Sequence, residues 1–456
     1  MSSSATVASS RLNAIVGQQN VIADPRELYA YAVDGITPKI AARPGTAQEV
    51  AELVKFAAAE NLAVIPTSAR TKLAIGMPPA RYDLAIDMTR LDRVISYDPG
   101  DLTLSVQPGI PLARLAQILA EHNQFLPLDV LFFERATIGG TLASGVDSPL
   151  RQAYGTPRDF VLGMEFVTGE GALAKSGGRV VKNVTGYDLH KLFLGAVGSL
   201  GIITRVNFKT FPRPSASATL IASFSSMQAA AAFNTLIHKS PLRCQAIEIL
   251  SPSAIALFAE NALLLADAAA MNSFAVAVSI AGNDAVLARC ERDLRTMAES
   301  SAGSLRSFTR LDGSREQHLW TAIREFPAAA QSRANAAILK FSCLRSDFAA
   351  FFNETSGLSN AHSLAIAHVF RGCGICYCLL TSPSGSLSQL EKCCAQLQQN
   401  AANSARRAQI LWCPIEFKSQ LNIWGPPRED FPLMRQLKRA FDPRNIFAPG
   451  RFVGGL

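Results

Sequence analysis

A short polar loop in the N-terminal part of the chain is placed where proteins often bind a phosphate group. The buried-looking strand NLAVIP (61–66) runs directly into it, and an apolar stretch follows it. The loop consists of Thr67, Ser68, Ala69, Arg70, Thr71 and Lys72. Loops that wrap a phosphate are usually rich in glycine, because a nest of backbone N–H groups often needs positive φ. The Ser-Ala-Arg sequence therefore leaves open whether this loop binds a phosphate.

A second group of polar side chains lies between two glycine turns in SGGRVVKNVTGYDLHKLF (176–193). Polar residues that are mixed with glycines and flanked by apolar residues suit the binding of a large planar polar ligand. A polar loop that leads into a helix with a solvated face would have the same composition, so both interpretations stay open. The polar residues are Arg179, Lys182, Asn183, Tyr187, Asp188, His190 and Lys191.

The glycines of GAVGSLG (195–201) do not form a dinucleotide-binding fingerprint. That fingerprint needs a strand before the glycines and a helix after them. Here the order is reversed, because Leu189, Leu192 and Phe193 fall on one face of a predicted helix before the glycines. The segment after them, IITRVNFKTF (202–211), alternates like a half-buried strand. The sequence therefore predicts a tight helix-to-strand turn.

No metal site is predicted. The motif CGICYC brings Cys373, Cys376 and Cys378 together, but it offers no fourth ligand at a standard spacing. Free cysteine packs well as a small apolar residue, so core packing is the favoured interpretation. The six histidines show no zinc-protease spacing, and neither a P-loop nor a G-x-S-x-G elbow occurs.

Composition favours a large folded protein. The 456 residues, 48% hydrophobic and 18% charged, suffice for two or three domains with a sizeable core. No apolar run reaches the roughly 18 residues that span a bilayer. The net charge of +8 is scattered, which argues against nucleic-acid binding but suits a phosphorylated cofactor, a carboxylate substrate or an acidic partner. Nine cysteines behind a polar, Ser-rich N-terminus suggest reduced thiols and a cytoplasmic location.

The pattern of elements predicts an α+β protein in several segments. TAQEVAELVKFAAAE (46–60) has a capping box and one apolar stripe, which predicts a helix. Many short strands follow, and the composition changes after 211–214 to alanine-rich helices alternating with strands. We therefore expect a tail over 1–30, a first domain over 31–214, a second domain with a sheet over 215–420 and a C-terminal segment over 421–456.

Three segments together resemble a known family. They are ATIGGTLASGVDSPLRQAYGTPRDFVLGMEFVTGEG (136–171), SGGRVVKNVTGYDLHKLFLGAVGSLGIITRVNFKTFP (176–212) and LKRAFDPRNIFAPGRF (437–452). In this order they resemble the vanillyl-alcohol-oxidase/p-cresol-methylhydroxylase (PCMH) superfamily, and within it the E-type FAD-binding subunits of bacterial glycolate oxidases. The similarity runs over about 36–214 and 433–452. It implies a PCMH-type domain of two subdomains that bind FAD between them, and an α+β cap domain with an antiparallel sheet.

The resemblance also implies which residues contact FAD. In family members the loop after the first strand binds the diphosphate and has two or three glycines. Here Ser68 and Thr71 can add hydroxyl donors, and Arg70 and Lys72 add positive charge next to the dianion. No His or Cys lies in 65–76, so we expect non-covalent FAD. Besides Thr67 to Lys72, the implied FAD contacts are Thr137, Gly139, Gly140, Ser144, Tyr154, Gly155, Lys182, Asn183, Tyr187 and Ile203.

Two departures from the family shape the functional expectation. Relatives that oxidise 2-hydroxy acids carry a histidine-rich metal motif in the cap, whereas AHVFRGCGICY (367–377) keeps only His368. Ala448-Pro449-Gly450 also stands where Asn-Pro-Gly is common. The first departure favours a subunit that works with a catalytic flavoprotein and an iron–sulfur subunit on a small hydroxy acid, in the cytoplasm or peripheral to the membrane through its partners.

Two alternatives remain open, and no catalytic residue is assigned. The chain could act alone as an FAD oxidoreductase on another alcohol or hydroxy acid, with Arg179, Lys182, Tyr187 and Lys191 near the substrate. It could instead be a scaffold that has lost FAD, which the Ser-Ala-Arg loop suggests.

Overall fold

The computed structural model describes residues 10–179, 186–259, 272–301, 304–404 and 406–456. Helices and antiparallel sheets are combined, which confirms the predicted α+β class. Within these ranges no helix is long and apolar enough to cross a membrane.

The first sheet is built from the N-terminal part of the chain. Its order is β1-β2-β4-β3, with β2, β4 and β3 parallel and β1 antiparallel to β2. The predicted helix over 46–60 is confirmed as α1 (Ala47–Ala59), because Thr46 caps it and its apolar stripe packs on the sheet. The strands of the first sheet are β1 (Val21–Ile22), β2 (Ile40–Ala42), β3 (Val64–Thr67) and β4 (Leu84–Asp87).

The second sheet is antiparallel and carries two short helices. Its order is β5-β6-β10-β8-β9, and its helices are α2 (Leu112–Ala120) and α3 (Ile138–Ser144). The strands are β5 (Val94–Asp98), β6 (Thr103–Val106), β8 (Val161–Val167), β9 (Leu173–Gly177) and β10 (Ile202–Lys209), and the separate pair is β7 (Gln124–Phe125) with β11 (Phe211–Pro212).

The turn over 195–201 leads into β10 as predicted, but the element before it differs from the prediction. Only a short 3₁₀ turn, Leu189–Leu192, precedes the glycines, not an amphipathic α-helix. Gly195 and Gly198 have φ of 83° and 73°, so two positions of this turn use the backbone freedom of glycine.

The cap is an eight-stranded antiparallel sheet with most of its described helices on one face. Its order is β15-β12-β14-β13-β17-β18-β16-β19. The strands are β12 (Ala216–Phe224), β13 (Ala246–Leu250), β14 (Phe274–Gly282), β15 (Leu305–Leu311), β16 (Ala336–Ser342), β17 (Ala365–Arg371), β18 (Ile375–Thr381) and β19 (Arg407–Trp412). The helices are α4 (Met227–Lys239), α5 (Pro252–Ala259), α6 (Asp284–Ser300), α7 (Gly313–Glu325), α8 (Phe348–Ala361) and α9 (Leu387–Asn403).

The two faces of the cap sheet pack against different layers. Alternate side chains of β18 separate: Tyr377 and Leu379 join a core shared with the second sheet, whereas Cys376 and Cys378 join the core under the cap helices. Cys393 and Cys394 of α9 lie in that helix-side core as well. Among the described residues no group of three or more metal-binding side chains occurs.

The C-terminal segment after α10 (Phe431–Phe441) packs beside β3. Val64 N donates to Ile446 O at 2.7 Å, and Ala448 N donates to Val64 O at 2.8 Å. The ammonium of Lys438 is buried and donates to Ser199 O, Asp442 Oδ2 and Phe447 O at 2.6–2.8 Å. Chain segments far apart in sequence are thereby joined around β3.

Two buried cations hold the stretch after the Thr67–Lys72 loop. Arg451 donates to the carbonyl oxygens of Leu73, Ile75 and Met77. Lys418 donates to those of Ala74 and Gly76 at 2.6 and 3.0 Å and to both oxygens of Asp34 at 2.9 Å. Five successive carbonyl groups are therefore paired with side chains from the C-terminal part of the chain.

The substitution Arg451→Met is predicted to lower the free energy of unfolding by about 3 kcal/mol, because three inward-facing carbonyl groups lose their donor. Urea denaturation of the purified protein measures this. Arg439→Met, which changes an exposed arginine of α10, is the matched control. An Arg451→Met protein as stable as the control would contradict this role for the buried guanidinium.

Candidate functional site

A cleft lies between the first and second sheets. The Thr67–Lys72 loop, α3 and the turn over 195–201 line the cleft, with Pro108 and Arg451 at its sides. The predicted residues that line it are Thr67, Ser68, Ala69, Arg70, Thr71, Lys72, Thr137, Gly139, Gly140, Ser144 and Ile203.

Several buried hydroxyl groups around the cleft have no hydrogen-bond partner within the described structure. They belong to Thr67, Ser68 and Thr137, which line the cleft, and to Thr141 on α3. A buried hydroxyl without a partner is unfavourable, so hydroxyls that line a cleft are suited to a polar ligand.

Glycine is required at this site by close packing. A Cβ on Gly139 would lie 2.7 Å from the Cβ of Pro108, and a Cβ on Gly198 would lie 2.7 Å from the Cγ of Pro66. Both distances are shorter than any relaxed carbon contact. Any larger residue at either position would push the walls of the cleft apart.

Arg70 takes the backbone conformation that a glycine would normally supply. Its φ is 59°, in the left-handed region, whereas Ser68 and Ala69 do not have positive φ. The side chain of Arg70 offsets this strain: its Nη1 lies 3.1 Å from Asp87 Oδ2, and its Cζ lies 4.6 Å from the centre of the Tyr31 ring. Tyr31 donates to the same Asp87 oxygen at 2.6 Å. The guanidinium is therefore already paired inside the protein.

Lys72 has a different environment. The residue is only 8% exposed, and within the described part of the chain its ammonium makes one hydrogen bond, to Thr71 Oγ1 at 3.3 Å. No carboxylate in the described ranges lies within the 4.0 Å of an ion pair with it. Burial lowers the pKa of Lys72 to about 8, and the nearest carboxylate effect, from Glu325 at the end of α7, raises it in part.

The remaining predicted contacts are not brought to this cleft. Tyr154 packs against Phe125 and Phe211, and its hydroxyl accepts from Gln245 Nε2 at 3.2 Å. Gly155 has φ of 76° at the following turn. Tyr187 is 88% exposed. FAD contact by these three residues stays a prediction, and Lys182 and Asn183 lie outside the described residues.

The described residues among the alternative substrate contacts, and His368, also lie away from the cleft. Arg179 is exposed, and Lys191 pairs with Asp188 at 2.8 Å. His368 of β17 faces the cap helices, where its Nε2 lies 2.8 Å from Thr355 Oγ1. None of these three side chains lines the cleft.

A buried ionic cluster, which the sequence did not predict, lies between the cap sheet and the end of α3. Arg371 Nη1 donates to Glu248 Oε1 at 2.6 Å, and Arg371 Nε lies 3.6 Å from Asp147 Oδ2. Asp147 follows α3 by three residues, so this cluster joins the cap to an element that lines the cleft. The available signal was a charged residue inside an apolar strand, as in AIEIL and AIAHVFR.

The strain at Arg70 predicts opposite effects of glycine and alanine at two positions. Both Arg70→Ala and Arg70→Gly remove the Asp87 ion pair, but the glycine variant relieves the left-handed strain and should be about 1 kcal/mol more stable to urea. At exposed Arg81, which lacks positive φ, the glycine variant should be less stable than the alanine variant by about 0.4–1 kcal/mol. If the glycine and alanine variants had the same order of stability at Arg70 as at Arg81, the strained conformation of Arg70 would be contradicted.

Family models match most of the chain. The model of the FAD binding domain matches residues 38–177, and that of the FAD linked oxidases' C-terminal domain matches residues 213–403 and 426–452. The fold is similar to that of p-cresol methylhydroxylase (TM-score 0.75, 18% identity, 99% of this chain and 97% of that one). It is also similar to that of alkyldihydroxyacetonephosphate synthase (TM-score 0.77, 16% identity, 99% and 86% covered).

Relatives of known activity include hydroxy-acid-oxidising proteins. The chain is 25% identical to glycolate oxidase subunit GlcD of Bacillus subtilis, over 91% of this chain and 88% of that protein. It is 27% identical to D-2-hydroxyglutarate dehydrogenase of Xanthomonas citri (94% and 93% covered) and 36% identical to glycolate oxidase subunit GlcE of Escherichia coli (38% and 49% covered). The chain therefore belongs to the PCMH-type FAD-linked oxidases and is an FAD-dependent oxidoreductase.

Proposed function

We propose that this protein is the FAD-binding flavoprotein of a 2-hydroxy-acid dehydrogenase, with FAD in the cleft between the first and second sheets. The unpartnered hydroxyls of Thr67, Ser68 and Thr137, together with the unpaired ammonium of Lys72, support this location. They offer hydrogen bonds and positive charge to a cofactor that carries a diphosphate. FAD supplies the two-electron redox chemistry, and the residues of the chain bind and orient it.

Non-covalent attachment of FAD is part of the proposal. The side chains that line the cleft in the described structure include no His, Cys or Tyr, the residue types that could form a bond to the flavin. The flavin should therefore be released intact by heat or acid.

The proposed substrate side is the cap-sheet face that packs towards the second sheet. Lys340 of β16 lies on this face, opposite Tyr377 of β18. No carboxylate of the described residues lies within ion-pair distance of its ammonium, although Asp147 is near enough for the positive charge to lower the pKa of that acid. A lysine without a committed partner suits the carboxylate group shared by all 2-hydroxy acids.

We also propose that the protein works as one subunit of a complex. The names of two relatives are those of glycolate oxidase subunits. His368 faces the cap helices and not the second sheet, which supports a chain that relies on partners for part of the reaction. We propose a catalytic flavoprotein and an iron–sulfur protein as these partners, in the cytoplasm or at the membrane surface. A stand-alone dehydrogenase is the second candidate, which the match along most of D-2-hydroxyglutarate dehydrogenase favours.

The purified protein is predicted to be yellow and to lose its flavin absorbance when it is mixed without oxygen with a 2-hydroxy acid. Glycolate, D-lactate and D-2-hydroxyglutarate are the substrates to compare. Lys340→Met should weaken substrate binding by about tenfold or more, because a charge-assisted hydrogen bond to the carboxylate is lost. Lys392→Met, an exposed lysine of α9, is the control. A flavin that none of the three acids reduces would contradict activity of the chain alone.

Affinity purification from cells distinguishes the complex from the stand-alone enzyme. A tagged chain in a complex should retain an iron–sulfur protein and a second flavoprotein through a size-exclusion step. Repeated turnover of a hydroxy acid with a dye as electron acceptor, by the isolated chain with no retained partner, would favour the stand-alone dehydrogenase.

A further inference from the structure

Among the described residues three cationic side chains line the cleft, and two of them are already paired. They are Arg70, Lys72 and Arg451. Arg70 is paired with Asp87 and stacks on Tyr31. Arg451 donates to three backbone carbonyl groups. Lys72 is therefore the lining cation whose charge has no committed partner.

The surroundings of Lys72 do not supply the missing anion. Its Nζ lies 5.8 Å from the centre of the Phe132 ring, on which Arg135 also lies at 5.8 Å. The carboxylate of Glu325 is engaged elsewhere, because it accepts from Phe132 N at 2.9 and 3.1 Å and from Arg324 Nε at 3.0 Å. A buried ammonium without an anion is unfavourable, so a ligand with a negative group would complete the site.

We infer that the ammonium of Lys72 is the counter-charge of the FAD diphosphate, and that FAD binding depends on the protonation of this one side chain. The inference rests on the proposed position of FAD in the cleft. Lys72 is the last residue of the loop whose Thr67 and Ser68 hydroxyls lack partners, so charge and hydrogen-bond donors lie side by side along one segment. A side-chain charge here compensates for a loop that has Ser68 and Ala69 in place of flexible glycines.

Proton linkage follows from the buried position of Lys72. In the FAD-free protein, burial lowers the pKa of Lys72 to about 8, so the ammonium is lost as pH rises through this value. The diphosphate favours the charged form, so bound FAD holds the proton to higher pH. The dissociation constant of FAD should be constant well below pH 8 and rise by up to about tenfold per pH unit above it.

Several other titratable or charged groups lie near the loop. Burial raises the pKa of Tyr31 and of Tyr82, so both stay neutral. Burial lowers the pKa of Arg451 only to about 10. These three shifted groups therefore do not titrate around pH 8. The remaining charged groups are the guanidinium groups of Arg70, Arg135 and Arg324 and the carboxylate of Glu325, which accepts from Phe132 N and from Arg324 Nε.

The test measures binding of FAD, ADP and adenosine to flavin-free protein between pH 7 and 9.5, without any hydroxy acid. In the natural chain, FAD and ADP should bind more weakly above pH 8, whereas adenosine should not change. Lys72→Met should weaken FAD and ADP about 10- to 100-fold at pH 7 and remove the pH dependence. Lys72→Arg should keep affinity within about tenfold and also remove the pH dependence. Lys392→Met should behave as the natural chain.

Three results would overturn the inference. One is ADP affinity of the natural chain that does not change with pH, a result that needs no variant to fold. Another is unchanged ADP affinity in Lys72→Met. The third is a shifted flavin reduction potential in Lys72→Met with ADP affinity intact, which would place the ammonium at the flavin ring. Because no substrate is used, these outcomes are separate from a failure of the hydroxy-acid assignment.

Discussion

The cleft depends on how five successive backbone carbonyl groups obtain their hydrogen bonds. The oxygens of residues 73–77 accept from Lys418 and Arg451, which are more than 340 residues away in sequence. Buried carbonyl groups must be paired, and a turn of this shape cannot pair them within itself. The stretch that follows the Thr67–Lys72 loop is therefore complete only after the C-terminal part of the chain has packed against it. A cleft able to bind a cofactor consequently requires that the chain has closed.

The same constraint explains how the loop tolerates the loss of its glycines. A left-handed residue other than glycine costs about 1–2 kcal/mol, and only Arg70 of the Ser-Ala-Arg sequence adopts this conformation. A half-buried ion pair and a stacking contact on Tyr31 are together of the same size. The arginine thus stabilises a conformation that its own Cβ disfavours. Because its charge is used for this purpose, another group must balance a bound anion.

The sequence predicted the elements whose signals are local. Helix α1 is confirmed within one residue at each end, because its cap and its apolar stripe both lie in the segment itself. The helix expected before Gly195 is only a 3₁₀ turn, because apolar spacing over five residues cannot distinguish a helix from a packed loop.

The sequence predicted those parts of the candidate site whose signals are local. The Thr67–Lys72 loop, Thr137, Gly139, Gly140, Ser144 and Ile203 carry family motifs, and the fold brings them to one cleft. Arg451 and Lys418 have no such signal, because a cation that pairs with distant carbonyls looks like any surface cation in sequence. Glu248 and Arg371 had only a weak sequence signal, which was a charged residue inside an apolar strand. These long-range pairs are what the sequence alone does not reveal.

The ionic cluster at Arg371 gives the cap an influence on the cleft. A buried arginine between two carboxylates is held in one geometry, because moving either acid away would leave an uncompensated charge in a dry interface. One acid, Glu248, belongs to the cap, and the other, Asp147, follows α3. Since α3 lines the cleft, a displacement of the cap strands would move this wall as well. The cap is thus attached at two places, and the first is Asp147 near α3. At the second, Arg324 donates to Asp129 at 3.1 Å, and Glu325 accepts from Phe132 N at 2.9 and 3.1 Å. The ring of Phe132 lies 5.8 Å from the ammonium of Lys72, so each attachment lies next to an element or side chain that lines the cleft.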